Sequence, residues 1–306
     1  MRCTICNSNK IEHLKIGQKH VIQQSFGAPI LECLDCKFVY ADFIHPQVIH
    51  LFYRNFCRPN HSTEEFTHLR KIAKESALSQ IELILPYFPK KIDRVLDYGG
   101  GSGEAARLFL PHADKVFITE MDPNSLKHIK EEPKLNVVDE AQLMDDEYIG
   151  FFDLIIFSNV LEHVSNPISM IQQFSRLLAN GGYLFIEVPN EAPWIRSNGN
   201  HCRQHLGFYT IETLKTLIKN QMSFDIRGLK TCGPKVTDII AKNQLIHDFS
   251  AKTTKNGWII RAMIQNNRPQ RDLKADSMSF NEGAEIAAKM SINLFLKENR
   301  KFLNMR

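Results

Sequence analysis

Apolar positions keep two different rhythms along this chain, and the rhythm changes near residue 93. From about Pro46 to Lys91, Leu51, Phe52, Leu69, Ile72, Leu78, Ile81, Ile84 and Leu85 recur at intervals that fit one apolar helix face. Pro86 and Pro89 stop that run, because proline lacks the amide that would continue it. From Asp93 onward short apolar runs alternate with amphipathic stretches, the pattern of βαβ units around a parallel sheet. The runs at 94–98, 115–120, 135–138, 152–158 and 182–188 are predicted strands, and two more are predicted at 223–229 and 258–264. Asn166 is placed to cap a helix that Pro167 opens, and Gly181-Gly182 to stop it. Another helix is predicted after Thr210, with Leu214, Leu217 and Ile218 on its buried side. Residues 268–306 read as a polar linker and a helix from about Asn281.

Composition changes this picture only at the cysteines. A 43% hydrophobic and 24% charged content is ordinary for a globular chain of 306 residues. A net charge of +4 is too small to point to nucleic acid or membrane as a partner. No apolar run approaches the roughly 20 residues that span a bilayer, and the first residues lack a signal-peptide core, so a cytoplasmic location is expected. In that compartment thiols stay reduced, which turns the seven cysteines toward metal rather than disulfides. Cys3-x-x-Cys6 and Cys33-x-x-Cys36 are two identical knuckles. Each presents two sulfurs on one tight turn, and together they complete a tetrahedron for Zn²⁺. Four thiolates close the site against substrate, so the expected zinc is structural. Cys57, Cys202 and Cys232 are read as ordinary semi-buried residues.

The strand Arg94–Tyr98 runs into Gly99-Gly100-Gly101-Ser102-Gly103 and then a helix from Glu104. Glycines let the backbone turn sharply and come close to a ligand, since no Cβ intervenes. Some twenty residues later the strand Val116–Thr119 ends in Glu120, a carboxylate placed to accept from ribose hydroxyls. Asp122 is a second candidate, or the cap of the helix after Pro123. The spacing Asp-x-Gly-x-Gly-x-Gly differs from the dinucleotide fingerprint Gly-x-Gly-x-x-Gly.

From Val95 to Gly103 the sequence resembles the first motif of the class I S-adenosylmethionine-dependent methyltransferases, and Glu120 the acidic end of their second. Phe152–Val164 is similar to the family's fourth strand and following turn, and Gly181–Asn190 to its fifth strand, so the resemblance covers roughly 93–230. It implies an α/β, Rossmann-like, seven-stranded, mostly parallel sheet with helices on both faces. The expected organisation is a zinc ribbon at 1–45, a helical connector at 46–92, an S-adenosylmethionine-binding domain at 93–267, and a linker with a C-terminal helical tail at 268–306. By the resemblance, Asp97, Gly99, Gly101 and Gly103 belong to the cofactor loop and Glu120 holds the ribose. Asp139 or Glu140 lies near the adenine, and Asn159 borders the sulfonium side.

The acceptor is less defined. The segment around Phe38-Val39-Tyr40 and Leu51-Phe52-Tyr53 resembles the N-terminal part of bacterial sugar and nucleotide-sugar methyltransferases, which implies a sugar-like small molecule as substrate. In the sugar C-methyltransferases a Tyr-x-Glu-His stretch follows the fifth strand. Here His205 matches its histidine, while Cys202 and Gln204 replace the tyrosine and glutamate. His205 is the candidate general base, with His163 a second candidate and Glu162-His163 alternatively a polar turn. Arg203 is a candidate contact to a phosphate or carboxylate. An RNA or protein substrate gripped by the ribbon is the rival reading, as is a non-catalytic binding module. Within 1–45, five basic residues face four acidic ones, which argues against RNA.

Overall fold

The computed structural model describes residues 2–14, 24–25, 28–42, 44, 49, 63–198, 204–220, 224–242 and 251–267. The expected tail at 268–306 lies outside them, as do Leu51, Phe52, Tyr53, Cys57, His201, Cys202 and Arg203. In chain order the elements are β1 (Ile11–His13), β2 (Gln24–Ser25), β3 (Ala28–Cys33), β4 (Val39–Ala41), α1 (Thr63–Ile84), β5 (Ile92–Tyr98), α2 (Glu104–Phe109), β6 (Ala113–Thr119), α3 (Pro123–Ile129) and β7 (Leu135–Val137). There follow β8 (Phe152–Ser158), α4 (Pro167–Leu177), β9 (Leu178–Pro189), α5 (Ala192–Asn198), β10 (Gly207–Phe208), α6 (Ile211–Lys219), β11 (Phe224–Lys235), α7 (Val236–Lys242) and β12 (Gly257–Asn266).

Seven strands form one sheet in the order β11-β12-β9-β8-β5-β6-β7. β5 to β9 are mutually parallel, and β12 runs antiparallel to both of its neighbours. This is the α/β Rossmann-like sheet expected from the sequence. Alternate residues on each strand feed opposite faces. Leu96, Ile155, Phe157, Leu184 and Ile186 pack with Phe174 and Leu177 of α4 and with Leu214, Leu217 and Ile218 of α6. Val95, Leu154, Ile156 and Phe185 pack with Ile84 of α1, Phe109 of α2 and Ile129 of α3. Burial on both faces explains why these strands read as continuous apolar runs.

Two local expectations change. Asn166 caps α4 through Ser169 N–H, but the helix ends at Leu177, and Gly181 adopts φ +78° inside β9 rather than stopping the helix. Pairing of Leu178 with Phe152 draws the chain into the sheet before the glycines are reached. On α1, Leu78 is 51% exposed, while Ser76, Ser79 and Gln80 are buried. The helix docks on a polar feature of the sheet, so its inner face does not follow the apolar stripe.

A second, small sheet in the order β1-β3-β4-β10 carries β2 on β3. Its last strand comes from far along the chain, since Phe208 pairs with Val39 and Gly207 with Tyr40. Phe38 lies against Tyr209 at 5.2 Å, and Arg196 of α5 donates to Glu32 at 2.8 Å. The N-terminal segment is thereby tied to the stretch of chain that follows β9. No helix among the described residues is long and apolar enough to cross a membrane.

Candidate functional site

Chain order reverses direction at β5: β6 and β7 lie to one side, β8 and β9 to the other. A crevice opens at such a switch point, at the carboxyl ends of the strands. Here it is a cavity of 860 Å³ lined by the loop after β5, Glu120–Asp122, Glu140, Ser158–Val160, His163 and one side of α1.

Gly99 and Gly101 sit at φ +66° and +57°, backbone that a Cβ would strain. A Cβ on Gly100 would come within 2.6 Å of Ile118, so the middle glycine is there for packing. Gly103, at φ +80°, precedes α2 and is not among the cavity-lining residues. Beneath the loop Asp97 is 1% exposed and accepts from Ala106 N–H at 3.2 Å. Burial, reinforced by the nearby Glu120 charge, pushes its carboxyl up to about 7.

Glu120 reaches the cavity and accepts through Oε1 from the Met121 and Asp122 amides at 2.7 and 2.8 Å, which fixes its orientation. Asp122 also lines the cavity, but its carboxylate caps α3 through Ser125 N–H at 2.8 Å. Asp139 is occupied locally, accepting from Ala141 N–H at 3.0 Å, and does not line the cavity. Its neighbour Glu140 does line it, and accepts from the Tyr98 hydroxyl at 2.5 Å. Of the two acids weighed from sequence for that position, the cavity therefore contains Glu140.

On the other side of the switch point Asn159 adopts φ +54° and donates from Nδ2 to Glu187 at 3.3 Å. Glu187, 2% exposed, is the hub of a buried network. It accepts from Arg261 Nε at 2.5 Å, Gln80 Nε2 at 2.9 Å and Ser76 Oγ at 3.4 Å. Arg261 also donates to Ser79 Oγ at 2.7 Å. This is the polar feature that holds α1 over the cavity. Its members sit on α1, β9 and β12, and sequence reasoning missed them. The one available signal was charge, Glu187 and Arg261, inside otherwise apolar strands.

The turn Leu161–His163 carries the remaining groups. His163 lines the cavity and its Nδ1 lies 3.1 Å from the Gln204 carbonyl oxygen. His205 is absent from the cavity wall. It lies behind His163, ring centroids 4.8 Å apart, with Nδ1 at 2.5 Å from the Glu191 carboxylate. Glu162 is 1% exposed, and burial pushes its carboxyl up to about 8 despite the nearby His205. It does not cap the next helix, a task that Asn166 performs. The two histidines named from sequence thus meet in space, with Glu191 as a partner that sequence reasoning did not supply.

In the N-terminal segment Cys3, Cys6, Cys33 and Cys36 form one cluster. Cys3 and Cys36 sulfurs lie 3.6 Å apart and Cys6 and Cys33 sulfurs 3.5 Å apart. A tetrahedron with Zn–S bonds of about 2.3 Å has edges of about 3.8 Å, so the four thiols already stand at nearly the spacing of a structural zinc site. Cys232 is buried apart from them.

Comparison with known proteins bears on this geometry. Residues 67–221 match a protein family described as Methyltransferase domain. A ubiquinone biosynthesis O-methyltransferase of Xanthomonas oryzae pv. oryzae is 30% identical over 119 residues, 36% of this chain and 50% of that protein. A tRNA (guanine(26)-N(2))-dimethyltransferase of Thermoplasma volcanium is 28% identical over 125 residues, 40% of this chain and 36% of that protein. The chain thus spans half or less of the length of these relatives. A chain from the complex of the Haloferax volcanii Trm112 methyltransferase activator with a methyltransferase has the same fold. It matches with a TM-score of 0.50 and 12% identity over 72% of this chain and 98% of that one.

Proposed function

Because the chain belongs to the methyltransferase-domain family, we propose that it transfers a methyl group from S-adenosylmethionine to a small-molecule acceptor, a sugar or sugar-linked compound. The observation that carries this reading is the continuity of one 860 Å³ cavity from the glycine loop and Glu120 to Asn159 and His163. Ligand clefts run to about 300–1,000 Å³. At the upper end of that range, the cavity has room for a cofactor and an acceptor together.

The residues present fit S-adenosylmethionine. The Gly99–Gly101 backbone admits close approach of its methionine portion. Glu120, aimed by two amides, is placed to accept from the ribose hydroxyls, and Glu140 borders the adenine end. Asp97 and Asn159 flank the sulfonium, which supplies the electrophilic methyl group when the cofactor is bound. The protein's own task is to align an acceptor atom in line with that methyl group and to assist loss of its proton. In this reading His163 stands on the acceptor side, and His205, oriented by Glu191, supports it from behind. Zn²⁺ at Cys3, Cys6, Cys33 and Cys36 has a structural part, holding the segment that supplies β3 and β4.

The test is release of S-adenosylhomocysteine from purified protein incubated with S-adenosylmethionine and separate pools of sugars, nucleotide-sugars and RNA. Turnover with a sugar or nucleotide-sugar is expected. Turnover with RNA alone, or binding of S-adenosylmethionine without turnover on any pool, overturns the acceptor assignment. No binding at millimolar cofactor overturns the whole reading.

A further inference from the structure

Glu162, His163 and His205 each bring a ligand-type atom within 4.8 Å of the others. The hydrogen bonds around them specify which imidazole nitrogens carry protons. A carbonyl oxygen can only accept, so the contact between His163 Nδ1 and the Gln204 oxygen places the proton on Nδ1 and the lone pair on Nε2. The Glu191 carboxylate does the same for His205, taking its Nδ1–H and leaving the lone pair on Nε2. Imidazoles that bind metals are held in this way, the far N–H given to a carbonyl or a carboxylate. The third member is Glu162, 1% exposed, whose Oε2 has no hydrogen-bond partner among the described residues. An orphaned carboxylate oxygen in the interior is costly, and a cation beside it removes the cost.

From these observations we infer that Glu162, His163 and His205 form a second metal site, for a divalent first-row cation of the Mn²⁺, Fe²⁺, Co²⁺ or Zn²⁺ class. Two imidazoles and one carboxylate leave coordination positions open, unlike the four-cysteine cluster, which is closed. His163 lines the large cavity, so the open positions are reached from it. A hydroxyl oxygen of an acceptor is the donor that suits them, which makes an alcohol-bearing substrate the favoured class. The metal site rests on the side-chain geometry alone, and only this last step rests on the methyl-transfer reading.

The experiment counts metal in the full-length protein, equilibrated with Zn²⁺ and dialysed, for the wild type and for Glu162→Gln and His205→Gln. One more ion per chain is expected in the wild type than in either variant, and zinc on the four cysteines cancels in this difference. Equal metal content in folded variants overturns the site. Wild-type crystals soaked in Mn²⁺ give an answer that needs no variant. An anomalous peak among the three side chains supports the site, and its absence there overturns it. Titration of the same wild-type protein with S-adenosylmethionine, with and without a chelator, is scored separately. Cofactor binding without the extra ion sinks the metal site only.

Discussion

Replacing Arg261 with methionine separates the buried Glu187 network from the rest of the fold. Both partners of this ion pair are 2% exposed and their atoms lie 2.5 Å apart. At that separation, and at the effective dielectric of about 20 that describes such sites, attraction amounts to roughly 6–7 kcal/mol. Desolvating the two ions costs several kcal/mol each, so the intact pair contributes little net stability. The variant is a different matter, because the buried carboxylate would remain and its counter-ion would be gone. Loss of one partner of a buried pair costs about 3–5 kcal/mol. Gln80, Ser76 and Asn159 still donate to Glu187, which places the expected loss near the low end, about 3 kcal/mol. Urea unfolding followed by circular dichroism reads this directly. Adding Glu187→Gln to Arg261→Met removes the stranded charge while keeping an acceptor for those donors, and it should restore a good part of the loss. A loss under about 1 kcal/mol in the single variant, or a double variant less stable than the single, would refute the argument.

Four further predictions address the site and the cysteines. Burial raises Asp97 to about 7, so its proton is held in the folded protein across the range in which the unfolded chain has lost it. Its contribution to stability is therefore present at low pH and lost as pH rises from about 4 through 7, and Asp97→Asn should gain on the wild type in thermal unfolding over that range. A bound sulfonium favours the ionised form, so S-adenosylmethionine should bind about tenfold more weakly at pH 6 than at pH 8, by titration calorimetry; a flat profile would count against this role. Glu120→Ala should weaken cofactor binding by about 1–3 kcal/mol in the same assay, the worth of hydrogen bonds to a charged group, and an unchanged Kd would remove Glu120 from the ribose. Cys33→Ser with Cys36→Ser should lower zinc content by one ion per chain in atomic absorption, and unchanged content would refute the cysteine site.

Much of the large sheet was legible because its determinants are local. Strands buried on both faces show as apolar runs, and the left-handed turns after β5 show as glycines. That Glu120 stands at the end of β6, where it lines the cavity, was legible by spacing alone. The rest depends on pairings that no local window contains. Glu191 meets His205 across a chain turn, and Arg261 meets Glu187 across a strand pair. Asp139 and Glu140 differ by one position, and only the path of the chain after β7 decides which enters the cavity. Leu78 misled for the same reason, since the face of α1 that is buried was set by a charge on another element.

Pairing of β10 with β4 also has a consequence for synthesis. Val39 and Phe208, which share that ladder, are separated by about 170 residues, so at roughly 5–20 residues per second Val39 leaves the ribosome about 10–30 seconds before its partner. During that interval both cysteine pairs have already emerged, but the edge of β4 has nothing to pair with. The nascent N-terminal segment is thus an open template that waits for the body of the protein, and it closes only when the loop carrying His205 arrives.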